Sequence, residues 1–126
     1  MAKPDITNRA DIEWIVKAFY EKLFADEQIA YLFTDVAQLN LEIHLPHLAD
    51  FWESILFDKN DYAKNVMNIH AELHKKSPLT PTHFTIWIAH LFHTIDERFE
   101  GRLAQKMKDR ANGIAYIMKT KVIPTL

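Results

Sequence analysis

Cysteine is absent from the 126-residue chain. That absence removes disulfides, thiolate metal ligands, cysteine-built zinc sites, iron–sulfur clusters and thioether-attached haem together. Only two glycines occur, so there is no Gly-rich phosphate loop. The two serines, Ser54 and Ser77, stand in no Gly-rich nucleophile elbow. No stretch approaches the ~20 apolar residues of a membrane helix. The opening residues Met1-Ala2-Lys3-Pro4-Asp5-Ile6-Thr7 lack the apolar core of a secretory signal, so a cytoplasmic protein is expected. Net charge is -2 with a pI near 6.4, and Lys75-Lys76 is the one obvious basic pair. That balance argues against nucleic acid and against a polybasic membrane surface as partners.

What is present is helical periodicity. With 48% hydrophobic and 25% charged residues, the chain is expected to form a single all-α domain over residues 1–126, without repeat, linker or low-complexity tract. A first helix is expected from Thr7 or Asn8, with Asn8 and Asp11 capping it and Ile12, Ile15, Val16, Phe19 and Leu23 as its apolar stripe. One or two helical turns follow at residues 29–33. Asn40 is placed to cap a helix with the stripe Leu41, Leu45, Leu48, Trp52 and Ile55. Asp58-Lys59-Asn60-Asp61 is turn chemistry. A shorter helix then carries Val66, Met67, Ile69, His70 and Leu73 and stops before Ser77-Pro78. Thr80-Pro81 restarts the helix as N-cap and first-turn proline, with Phe84, Trp87, Ile88, Leu91, Ile95 and Phe99 in line up to Gly101. The last helix carries Leu103, Met107, Ile114, Ile117 and Met118, with Gly113 inside it and Pro124 at its end.

Seven histidines, His44, His47, His70, His74, His83, His90 and His93, are the feature to explain. His47, His90 and His93 fall off the main stripes and read as solvated. His83 sits in a first turn, where the helix dipole disfavours an imidazolium, and reads as ordinary. His70, between Val66 and Leu73, and His44, beside Leu41, Leu45 and Leu48, face apolar surface. A histidine so placed is more often a satisfied core residue than a ligand. Two of them on separate helices, with Tyr20 and Trp87 bordering two further stripes, bring one strong ligand and three hydrogen-bonding side chains where four helices can converge. The same aromatics could equally be core residues whose polar atoms find backbone partners.

Other metal chemistries fail on spacing. In His70-Ala71-Glu72-Leu73-His74 the residue after the first histidine is alanine, not the glutamate of a zinc protease. No Glu-x-x-His exists for a di-iron bundle. A cofactor held by apolar helical walls and one imidazole remains, which describes haem b, iron protoporphyrin IX.

The chain resembles the truncated haemoglobins, specifically their third group, from about Asp11 to Met118. The resemblance rests on Phe19-Tyr20-Glu21-Lys22-Leu23, His44-Leu45-Pro46, Asp50-Phe51-Trp52-Glu53, and Tyr62 with Met67. It continues through His70 with Leu73-His74, Ser77-Pro78-Leu79-Thr80-Pro81, His83-Phe84, Trp87, Leu91-Phe92 and Thr94. Phe99-Glu100-Gly101 and Arg110-Ala111 close it. Leu41 stands where members often carry Trp, and Lys64 and Val66 where they carry Gly and Pro; none of these is a ligand position. The resemblance implies a two-over-two globin sandwich with His70 as proximal iron ligand. It implies a distal pocket of Tyr20, His44 and Trp87, Phe33 wedged against the haem, and Leu48, Val66 and Phe84 as apolar haem contacts.

The implied function is binding of O₂ or NO at a penta-coordinate iron, with CO as a further gas ligand. Redox chemistry on O₂, NO or peroxide is expected rather than bulk oxygen carriage. NO dioxygenase or peroxidase-like turnover and an electron-donating reductase partner go with it. The competing readings are a bis-histidine electron-transfer or gas-sensing protein with His44 on the iron, a non-haem metal site, and an interaction bundle with no cofactor. Lys75, Lys76 and Arg98 are alternative partners for the haem propionates.

Overall fold

The computed structural model describes residues 3–38, 40–57 and 79–122. Four long helices run through them: α1 (Arg9–Ala25), α2 (Leu41–Phe57), α3 (Pro81–Arg98) and α4 (Arg102–Ile117). Short π-helical segments follow α1, at Leu32–Val36, and α4, at Met118–Val122. There is no strand among the described residues, and no helix among them is long and apolar enough to cross a membrane. The turn expected at residues 58–61, the helix expected through 66–73 and the stop at Pro124 lie outside the described residues.

α1 begins where its sequence says it should. The Asn8 side chain accepts from the Asp11 N–H at 3.0 Å, which satisfies one of the orphan donors of the first turn. The return bond lands one residue further out: Asp11 Oδ2 accepts from the Thr7 N–H at 2.9 Å and from its hydroxyl at 3.0 Å. Ile12, Ile15, Val16, Phe19 and Leu23 are all buried, and Tyr20 joins them. Residues of this size each contribute about 1.5–3 kcal/mol when buried, so this face is the spine of the core. It packs against both α2 and α3.

α2 is tied to α1 at one point by a fork of charges. Arg9 Nη1 lies 2.6 Å from Asp50 Oδ1 and 3.2 Å from Glu53 Oε1, and Arg9 Nη2 donates to the Pro46 carbonyl at 3.3 Å. Asn40 caps α2 as expected, its Oδ1 accepting from Glu42 N–H at 3.1 Å. The buried face of α2 is nevertheless rotated from the expected stripe. Ala49, Phe51, Trp52 and Leu56 fill the core, whereas Leu41, Leu45, Leu48 and Ile55 are only partly buried against it. Alanine carries little hydrophobic signal, yet at Ala49 a small side chain lets neighbouring elements pack close.

α3 starts with a capping box. Thr80 Oγ1 accepts from the His83 N–H at 3.2 Å, and His83 Nδ1 accepts from the Thr80 N–H at 3.1 Å. Phe84, Leu91, Ile95 and Phe99 are buried as their spacing predicts, while Trp87 and Ile88 are half-buried. The same correction as in α2 applies to α4. Its core face is Ala104, Met107, Ala111 and Ala115, continued by Met118 just past its end, with Leu103 and Ile114 beside it and Ile117 facing outward. Three alanines, rather than the larger aliphatics, set the approach of α4 to its neighbours.

Gly101 cannot cap α4 with a side chain. Asp5, from the N-terminal segment, does so instead: its carboxylate accepts from the N–H groups of Leu103 at 3.0 Å and Ala104 at 2.9 Å. Burial alone would raise the Asp5 carboxyl, but these N–H groups, that of Ile6 and the charge of Arg102 hold it below its ordinary value. Glu100 N–H also donates to the Pro4 carbonyl at 3.0 Å. The chain start is thereby stitched to the α3–α4 corner.

Candidate functional site

Tyr20 is the centre of a ring cluster built by three elements. α1 supplies Phe19, Tyr20 and Phe24, the π-helical segment supplies Phe33, and α2 supplies His44. Ring centroids lie 5.6 Å from Tyr20 to both Phe33 and His44, and 5.3 Å from Tyr20 to Phe19. α3 enters through Trp87, which meets Phe19 at 5.9 Å. All four contacts are edge-on, the arrangement in which aromatic quadrupoles attract.

The polar atoms of this cluster are the informative ones. Tyr20 is 7% exposed, and its hydroxyl has no hydrogen-bond partner among the described residues. Burial pushes its phenol well above the usual range, so the hydroxyl stays protonated and is a donor. The half-buried His44 has its pKa lowered, first by desolvation and then by the charge of His47 one turn on. It is neutral near pH 7 and likewise without a polar partner among the described residues. The Trp87 indole N–H is in the same condition. Buried polar groups are nearly always paired, and an unpaired one costs about 1–3 kcal/mol. The Tyr20 hydroxyl is such a group, and with the half-buried His44 and Trp87 it makes this aromatic cluster a wall of rings that carry open hydrogen-bonding atoms.

Of the residues expected to form the site, the structure joins Tyr20, His44 and Phe33 directly and Trp87 through Phe19. Phe84 is buried in the first turn of α3, and Leu48 is half-buried on α2. His70 and Val66 lie outside the described residues. The described members fit the chemistry of a haem site: flat apolar rings for the macrocycle and hydrogen-bonding groups without a described partner for a polar ligand. Phe24 had not been singled out, though its place four residues after Tyr20 puts it on the same face of α1. It meets Tyr20 at 6.3 Å and Phe33 at 6.0 Å.

Two histidines read as solvated or ordinary have specific partners instead. His90 Nε2 lies 2.7 Å from Asp26 Oδ2, where Asp26 ends α1. That bond, with the Gln28 N–H, holds the Asp26 carboxyl below its ordinary value. The off-stripe position of His90 was legible; the acid brought to it by tertiary packing was not. His83 uses both ring nitrogens, Nδ1 in the capping box and Nε2 at 3.1 Å from the Tyr31 hydroxyl.

No protein family profile matches this sequence, and no curated protein does. The fold, however, is similar to the crystal structure of a group III truncated hemoglobin from Campylobacter jejuni. The TM-score is 0.81 over 95% of this chain and 94% of that chain, at 20% sequence identity. At that identity the likeness is one of fold: the chain has the all-α truncated globin fold.

Proposed function

We propose that this chain is a truncated haemoglobin of the third group that binds haem b and captures O₂ or NO in the cytoplasm. The observation that supports it best is the buried Tyr20 hydroxyl, which, like His44 and Trp87 near it, has no hydrogen-bond partner among the described residues, in a truncated globin fold. Haem, when bound, supplies an iron that takes a diatomic ligand and exchanges one electron. His70 is the residue that would hold that iron, through a neutral imidazole. Tyr20 O–H and Trp87 N–H would donate to a bound ligand's partial negative charge, and neutral His44 would close the polar side of the pocket. Phe33, Leu48, Val66 and Phe84 would exclude water and so strengthen those donors.

Two donors, each contributing about 1–3 kcal/mol in a dry pocket, make ligand release slow. Slow release suits redox chemistry on O₂, NO or peroxide, with electrons from a reductase, rather than bulk transport. The test is the absorption spectrum of purified protein, ferric, reduced and exposed to CO. A Soret band that shifts with CO and disappears in His70→Ala is the expected result. No Soret band, even with added hemin, sinks the proposal. The neutral, unpartnered His44 ring also favours one second reading, His44 as a sixth iron ligand. A six-coordinate low-spin spectrum without added ligand, abolished in His44→Ala, would establish that alternative.

A further inference from the structure

The segment between α1 and α2 is fastened to α3 by two histidines. At its start His90 Nε2 lies 2.7 Å from the Asp26 carboxylate, and further on His83 Nε2 lies 3.1 Å from the Tyr31 hydroxyl. The rings of Tyr31 and His83 also meet edge-on, their centroids 5.9 Å apart. His83, Trp87 and His90 recur at helical spacing, so they share one face of α3, with Trp87 between the two fastenings. Two residues past Tyr31 stands Phe33, whose ring lies 5.6 Å from that of Tyr20. Ile29 and Leu32 are buried and hold the segment's backbone to the core. Tyr31, 37% exposed, and the half-buried Phe33 have less burial to fix them, so their pose depends on the fastenings.

The two fastenings answer acid differently. His83 Nδ1 accepts from the Thr80 N–H at 3.1 Å, so Nε2 carries the proton that reaches Tyr31. A second proton, on Nδ1, sets donor against donor. The ring must then turn, and the turn takes Nε2 away from Tyr31. Tyr31 is the titratable group that His83 meets among the described residues, and a phenol offers an imidazolium no opposite charge near neutral pH. His90 faces a carboxylate instead. Lys22, Glu27 and His93 line the same groove, with Lys22 and His93 directed at Glu97. Asp26 also accepts from the Gln28 N–H at 3.0 Å and stays ionised in mild acid. Charging His90 therefore turns a hydrogen bond into a stronger, charge-assisted one.

We propose that His83 and Tyr31 form an acid-sensitive latch that positions Phe33 against Tyr20, while Asp26 and His90 form an acid-resistant hinge about which the segment loosens. Opening the latch moves one ring of the candidate pocket and widens the way to it. That a diatomic ligand enters there rests on the haem reading above; the latch itself does not.

Amide hydrogen exchange of the full chain reads the segment directly, because it reports local opening. After correction for intrinsic chemistry, residues 28–36 should exchange about fivefold faster at about pH 5 than at about pH 7, the worth of one hydrogen bond. Amides of α4 should keep their rate. Tyr31→Phe should be fast at both pH values. His83→Gln, which keeps an acceptor for Thr80 without titrating, should show one rate at both. Asp26→Asn should loosen the segment throughout and retain the acid step. In the haem-loaded chain CO association should show the same step, lost in Tyr31→Phe. An exchange step in a chain that takes up no haem keeps the latch and sinks the haem reading. A haem-loaded chain whose segment exchange ignores pH overturns the latch. Acceleration shared by α4 is a loss of global stability and overturns it too. A CO step that survives both Tyr31→Phe and His83→Gln belongs to His44 and overturns the coupling to the pocket.

Discussion

The Tyr20 ring from α1 and the His44 ring from the start of α2 meet edge to face, their centroids 5.6 Å apart. Each carries a polar atom that no described residue satisfies. A core built for stability alone would have Phe at the first position and an aliphatic at the second. The pair instead sits where the fold leaves hydrogen-bonding capacity open, and the first prediction follows from it.

Tyr20→Phe should accelerate O₂ release by about tenfold or more, since one donor in a dry pocket is worth roughly 1–3 kcal/mol and every ~1.4 kcal/mol is tenfold. The ring contacts with Phe19, Phe24 and Phe33 survive the change. Folding stability should therefore be unchanged or rise by up to about 1 kcal/mol, because an unpaired buried hydroxyl has been removed. Stopped-flow release and urea unfolding check the two halves. A release rate equal to that of the parent chain would remove Tyr20 from the distal pocket.

Stability should fall in mild acid through His83. Its Nδ1 accepts from the Thr80 N–H, so Nε2 carries the proton and donates to the Tyr31 hydroxyl. Protonation turns Nδ1 into a donor facing a donor, at the positive end of α3. Burial already holds the pKa of His83 below its ordinary 6.5. A group depressed in the folded state contributes fully above its unfolded value, and that contribution is lost as pH falls through the folded one. The loss therefore begins below about pH 6.5. His83→Gln keeps a capping-box acceptor without the titration, so urea midpoints against pH should be flatter in that variant between pH 7 and 5. Parallel curves would refute the mechanism.

The two glycines should respond oppositely to alanine. Gly101 has φ +139°, and a Cβ there would lie 2.5 Å from Asp5 Cγ, the residue that caps α4. Gly101→Ala combines a forbidden backbone conformation with a displaced cap, and should cost about 1–3 kcal/mol or more. Gly113 is inside α4, and a Cβ there would meet nothing within 4 Å. Gly113→Ala should stabilise by about 0.5–1 kcal/mol, chiefly by restricting the unfolded chain. Chemical denaturation of the two variants decides both, and a destabilised Gly113→Ala would contradict the continuous α-helix seen there.

The sequence by itself determined where helices start and which of them carry a strong apolar stripe. Capping is local chemistry: Asn8, Asn40 and Thr80 bond N–H groups within three residues of themselves. The stripe of α1 was equally legible, because large aliphatics at helical spacing have one way to leave water. The likeness to truncated haemoglobins was carried by short strings of residues and needed no overall identity. Rotation of α2 and α4 was decided only in three dimensions, where Ala49, Ala104, Ala111 and Ala115 took core positions that composition does not mark. Close packing rewards small side chains at a helix contact as much as large ones beside it. Long-range partners were likewise beyond reading. Asp5 caps a helix nearly a hundred residues away, Asp26 answers His90, and Tyr31 answers His83, because such pairs exist only once the chain has folded. The candidate site divides the same way: residue types named Tyr20, His44 and Trp87, but only the tertiary structure established that the core leaves their polar atoms without a described partner.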